Sequence, residues 1–293
     1  MSADFEFDIF HGQLSPNGAQ VYARVAALPG GGRWTLSGRM RGPECYLAKM
    51  LTTNIPFVDL GRGPTLLAKA TLTDPCFWSA ELPALYRVTI ELRSEGSLIA
   101  THERPFGLRF LGHSERYFYW ENKRWVLRGV HRDAVWDSPL STWRETATAM
   151  VVEHPDDELC LESSRQGVVV VAKIGAGADV LAELRRLAAW PCVAIALIES
   201  PGEKLTAYHQ VVPNLILGTL PKTSNDFIPE WSQTAFVDAP RLPAALQRLA
   251  SRPIALIASR RLGEKKSLAE ARAACDILQR DVVQLGDFAG YVV

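Results

Sequence analysis

The sequence predicts a multidomain protein of β and α/β class: an antiparallel β-sandwich over residues 1–112, then a compact β/α barrel with trimmed loops over 113–293. Three observations predict it. At 293 residues the chain exceeds the usual size of one domain. Up to about Leu111, short runs alternate apolar and polar residues between Gly and Pro, the period of half-buried strands. From Tyr117 onward, short apolar runs alternate with helical segments, the rhythm of repeated β–α units around a parallel sheet.

In the first region, strands are expected at Ala19–Val25, Trp34–Gly38, Thr65–Leu72 and Tyr86–Leu92, with a last one at Leu98–Ala100 after the turn Ser94-Glu95-Gly96-Ser97. A short linker is expected near Gly112–Arg116. In the second, strands are expected at Val126–Val130, Ala149–Val152, Val168–Ile174, Val193–Ile198, Leu215–Leu217, Ala235–Val237, Ile254–Ala258 and Ala289–Val293. Helices fall between them at Ser141–Thr148 (with Ser141 as cap), Asp156–Arg165, Asp179–Ala189, Leu242–Ala250 and Leu268–Gln279. The strand Val168–Ile174 is apolar except at Lys173, as when both faces are covered. Eight strands in roughly 180 residues is short for such a barrel, typically ~250, so the loops must be trimmed.

Composition narrows the function. Lys+Arg and Asp+Glu are both 32, and a formal charge of zero argues against a nucleic-acid or anionic-membrane binder. No stretch approaches the about eighteen apolar residues of a membrane span. The N-terminus shows no secretory signal, so a cytoplasmic location is the default expectation. Cys45, Cys76, Cys160, Cys192 and Cys275 lack metal-type spacing, and only Cys45 and Cys76 could bridge. Neither a metal nor an organic cofactor is expected, and the oligomeric state is left open.

Two passages resemble glycoside hydrolase family 2, the β-galactosidase and β-glucuronidase relatives. The first runs from Asp74 through Trp78-Ser79 to Pro83-Ala84-Leu85-Tyr86 and closes with Phe106-Gly107-Leu108-Arg109. It is similar to the family's last sandwich hairpin and its Phe-Gly-Phe-Arg exit. The second, Asn122-Lys123-Arg124-Trp125-Val126-Leu127-Arg128-Gly129-Val130-His131-Arg132, is similar to the entry into the family's barrel. The resemblance implies an immunoglobulin-like β-sandwich followed by a (β/α)8 TIM-like barrel. The activity it implies is retaining hydrolysis of β-glycosides.

That chemistry needs two carboxyl groups ~5–5.5 Å apart, one a proton donor and one a nucleophile. The family places them at the C-terminal ends of barrel strands four and seven. At strand four, Glu199 lies in the region of the acid/base, but Ile198 replaces the preceding Asn. At strand seven, where the nucleophilic Glu is expected, the chain offers Ser259 or Arg260. Glu264 falls beyond Gly263 and needs a shift of register, and Arg260-Arg261 reads as an anion site or a solvated turn. At strand two, Val151 stands in the place of an Arg and Glu153 in that of a Ser, while His154 is retained.

Glu153, Asp238 and Glu264 are thus alternative carboxylates to Glu199, and Asp287 is a weaker candidate of the same kind. His131, Asp133, His154, Trp136 and Trp231 are the candidate substrate-binding residues, together with the aromatics Tyr208 and Phe227. Each has a plainer reading: rim packing for the aromatics, turns for the acids. The segment Gly175-Ala176-Gly177 mimics a dinucleotide-binding turn, with Val180 where the third glycine would stand. It serves equally as the turn of the barrel's third unit. The expectation is a family 2-like protein with impaired catalysis that binds a carbohydrate or another partner. Its alternatives are an active retaining β-glycosidase with relocated carboxylates, and a structural or assembly protein.

Overall fold

The computed structural model describes residues 5–26, 28, 32–62, 65–199, 212–221 and 228–293. The chain divides into two units at Arg109/Phe110.

The first unit is built from β1 (Phe7–Ser15), β2 (Gly18–Val25), β3 (Trp34–Glu44), β4 (Thr53–Arg62), β5 (Leu66–Thr73), β6 (Leu85–Ser94) and β7 (Ser97–Phe106). They pair antiparallel in the order β1-β2-β5-β4-β3-β6-β7. One strand joins the two halves: β4 pairs with β3 through Thr53–Phe57 and with β5 through Val58–Arg62. Alternation buries Ala19, Val21, Ala23 and Val25 of β2 against Leu66, Ala68, Ala70 and Leu72 of β5 and Val88, Ile90 and Leu92 of β6. Trp78 is fully buried, and its backbone N–H donates to Leu108 O at 2.6 Å. The Tyr86 hydroxyl accepts from Cys76 N–H at 2.9 Å. The Trp78–Tyr86 passage and the Phe106–Arg109 exit are therefore one packed motif.

Strands β1 and β4 escape the sequence reading because each breaks its own alternation. The first slips register between His11 and Leu14. The second carries Pro56, which cannot donate to a ladder. All five cysteines are free thiols.

The second unit opens with a small antiparallel sheet of β8 (Leu111–Ser114), β9 (Tyr117–Trp120) and β10 (Lys123–Trp125). The stretch expected as a linker, 112–116, thus carries a strand and its turn. Eight parallel strands then close a barrel in sequence order: β11 (Leu127–His131), β12 (Ala149–Glu153), β13 (Val170–Ile174), β14 (Val193–Ile198), β15 (Ile216–Thr219), β16 (Thr234–Asp238), β17 (Ala255–Ser259) and β18 (Gly290–Val292).

Among the described residues the barrel's helices are α1 (Leu140–Glu145), α2 (Asp157–Gln166), α3 (Val180–Ala188), α4 (Leu242–Arg248) and α5 (Leu268–Val282). Their starts follow capping chemistry. The Asp156 and Asp179 side chains accept from Leu159 and Ala182 N–H, and Ser267 with Glu270 forms a reciprocal capping box. Pro139, not Ser141, stands at the cap of α1, its φ near −63° suiting a helix entrance. Residues 175–177 form the turn between β13 and α3. Gly177 takes φ +91°, which explains that glycine without a bound phosphate.

Candidate active-site face

The C-terminal ends of the barrel strands carry a pocket of about 420 Å³ over β11, β12 and β13. Active sites of such barrels lie at this face. His131 ends β11, Glu153 ends β12, and Lys173 lies one residue before the end of β13; all three line the pocket. Register brings the last two together: Glu153 stands directly opposite Lys173 on the neighbouring strand. Their Oε1 and Nζ atoms are 3.5 Å apart, with the Lys173 side chain largely buried and Glu153 exposed.

Burial pushes the His131 imidazole down to about 4, and the nearby Lys173 ammonium acts in the same direction. Asp133 and Glu153 oppose this and Arg261 reinforces it. His131 is therefore neutral at pH 7, able to donate one hydrogen bond and accept another.

The wall of the pocket comes from the loop after β11. Trp136 lines it at 62% exposure, so its ring is available to a ligand. The loop's backbone is held at three points. Trp136 N–H donates to Lys266 O at 3.1 Å, Lys266 N–H donates to Ala134 O at 3.2 Å, and Ser138 Oγ donates to Trp136 O at 3.0 Å. The loops after β11 and β17 are thus zipped together, and Lys265 Nζ lies 6.0 Å from the Trp136 ring centre. Trp143 of α1, almost fully buried, also lines the pocket.

The remaining expected residues fall elsewhere. Glu199 directly follows β14, half-buried, its backbone N–H donating to Ile174 O at 3.0 Å. Asp238 ends β16, where Oδ1 accepts from Ser259 Oγ at 2.9 Å and Oδ2 lies 3.8 Å from Arg241. Arg260, just past β17, pairs with Asp281 of α5 at 2.7 Å. Glu264 is exposed in the turn between β17 and α5. His154 is exposed with φ +46°, its ring lying over Gly175, and it does not line the pocket.

Two candidates belong to the opposite end of the barrel. Trp231 precedes β16 on the N-terminal side and is 6% exposed, so it offers no face to a sugar at the mouth. Its neighbours are clamped there by Arg252, whose guanidinium donates to the carbonyls of Ile228, Pro229, Glu230 and Ser232. Asp287 precedes β18 and pairs with Arg124. Tyr208 and Phe227 lie outside the described residues.

Lys173 and Lys265 were not singled out as site residues from the sequence. The signal for Lys173 was present: one charged residue near the C-terminal end of an otherwise apolar barrel strand. No group of residues suited to a metal ion occurs among the described residues.

A family model, Glycosyl hydrolases family 2, matches residues 47–109, which lie within the sandwich. The resemblance is to glycosyl hydrolase family 2. Solved structures extend the likeness of fold over nearly the whole chain. A family 2 member from Bacteroides cellulosilyticus matches at TM-score 0.66 and 15% identity, covering 98% of this chain and 43% of that one. A putative β-galactosidase from Bacteroides fragilis matches at 0.60 and 14%, covering 98% and 54%. The Bacteroides uniformis β-glucuronidase matches at 0.59 and 14%, covering 98% and 45%. The chain therefore spans about half the length of these family 2-like structures, and at such identities they speak for the fold. No curated protein matches. No helix among the described residues is long and apolar enough to cross a membrane.

Proposed function

We propose that this family 2-like protein binds a carbohydrate at its barrel mouth without retaining hydrolysis of ordinary β-glycosides. One observation carries the reading. Barrel strand seven ends in Ser259 and is followed by Arg260, the first hydrogen-bonded to Asp238 and the second paired with Asp281, so no carboxylate of its own stands where the nucleophile is needed. The open pocket lies instead over strands one to three. It offers an exposed indole and a set of hydrogen-bonding groups, His131, Asp133 and Glu153, suited to sugar hydroxyls.

A second reading has its own support. Asp238, at the end of strand six, is hydrogen-bonded to Ser259 at the end of strand seven, so Glu199 with Asp238 would be the relocated pair of an active enzyme. A 4-nitrophenyl β-glycoside panel separates the two. The first reading expects no turnover above buffer, together with oligosaccharide binding that Trp136→Ala weakens about tenfold, the loss of a stacking contact worth about 1.4 kcal/mol. Turnover abolished in both Glu199→Gln and Asp238→Asn establishes the second.

A further inference from the structure

We infer that the sandwich carries a separate ligand site, built for the sulfate or carboxylate groups of an acidic saccharide. A cleft of about 350 Å³ on the outer face of β3, β4, β6 and β7 is lined by Arg39, Arg41 and Arg87 with Thr52, Asn54 and Glu103 among its other groups. Register explains the cluster. Arg39 and Arg41 are two residues apart on β3 and share one face; Arg41 stands directly opposite Arg87 of β6 and Asn54 of β4. Like charges placed opposite each other across a sheet are destabilising. Only Arg87 is compensated, by Glu103 at 3.1 Å and Glu44 at 4.0 Å. Among the described residues, Arg39 and Arg41 make no ion pair, and both are exposed.

The excess is local, because the chain as a whole carries 32 basic and 32 acidic residues. Guanidinium forks match carboxylate and sulfate oxygens in bidentate fashion, so an anion here relieves the repulsion between neighbouring arginines. Thr52 and Asn54 add hydroxyl and amide groups for the hydroxyls of a sugar. No aromatic ring lines the cleft, so a neutral sugar has nothing to stack on and charge must carry recognition. Single-stranded nucleic acid is disfavoured by the same lack of rings and by the short track of cations.

Calorimetry on the full chain tests this with a κ-carrageenan hexasaccharide (sulfate without carboxylate), an oligogalacturonate of equal length (carboxylate without sulfate) and neutral maltohexaose. At least one acidic oligomer is expected to bind, more weakly as salt rises, and the arm that binds names sulfate or carboxylate as the group recognised. The double variant Arg39→Ala/Arg41→Ala should weaken that binding at least tenfold, and Glu103→Gln should tighten it. Trp136→Ala should leave it unchanged, which keeps this site distinguishable from the barrel mouth. The proposal fails if neither acidic oligomer binds, if the double variant binds as the native protein does, or if maltohexaose or a single-stranded oligonucleotide binds as tightly through the same arginines.

Discussion

The two sides of the barrel mouth use their polar residues differently. Over strands one to three, His131, Glu153 and Lys173 face one open pocket beside an exposed indole. Around strands six and seven, the polar ends are spent on one another and on the flanking helix: Ser259 on Asp238, Arg260 on Asp281 of α5. A retaining glycosidase needs carboxyl groups converging from opposite sides of the mouth. The contrast teaches that a closed barrel can leave the polar strand ends on one side of its mouth facing an open pocket while those on the other side pair with one another.

The largest effect that could break this contrast lies beneath the pocket. Trp143 is 2% exposed, yet it both lines the pocket and packs into the core cluster around Val130, Met150 and Leu268. Trp143→Ala should cost about 3–5 kcal/mol by leaving a cavity. Urea unfolding reads it directly. A loss below about 1 kcal/mol would mean that the first three strands close up around the hole, and that the pocket is not built on a rigid floor.

The next effect separates the units by pH. His131 in the barrel and His11 in the sandwich are each pushed down to about 4, in both cases chiefly by burial. The unfolded chain takes up protons near pH 6.5 that the folded chain refuses, so stability is full above that pH and is lost as pH falls toward 4. Each gap is equivalent to at most about 3 kcal/mol. Denaturation midpoints at pH 7 and pH 4.5 should therefore converge in part for His131→Gln, and in part for His11→Gln. If neither variant flattens the profile, the acid sensitivity belongs to other groups.

How much of this was legible in the sequence depends on the distance over which each signal acts. Strand Val193–Ile198 was readable to the residue, because a fully covered parallel strand announces itself as an unbroken apolar run. That strand seven ends in Ser259 and is followed by Arg260, neither of them a carboxylate, is equally plain in the sequence. Strands β1 and β4 were hidden by a register slip and a proline. Of the pocket, the sequence names His131, Asp133, Trp136 and Glu153 singly, but not their convergence on one cavity or the part of Lys173. That convergence depends on which strand ends share a cavity, on the Glu153–Lys173 register, and on a loop zipper between Ala134–Trp136 and Lys266. These join residues up to about 130 positions apart, and no local pattern encodes them.

The smallest effect sharpens the contrast most. Ser259 Oγ donates to Asp238 Oδ1 in an exposed setting, so Ser259→Ala should cost only about 0.5–1 kcal/mol. Its value lies in what should not change. If the ligand site belongs to strands one to three, oligosaccharide affinity in Ser259→Ala should stay within about twofold of the native protein while Trp136→Ala loses about tenfold. If both variants lose affinity alike, the ligand spans the mouth and the two sides form one site. Asp238, released from Ser259, would then be the first carboxylate to examine beside Glu199.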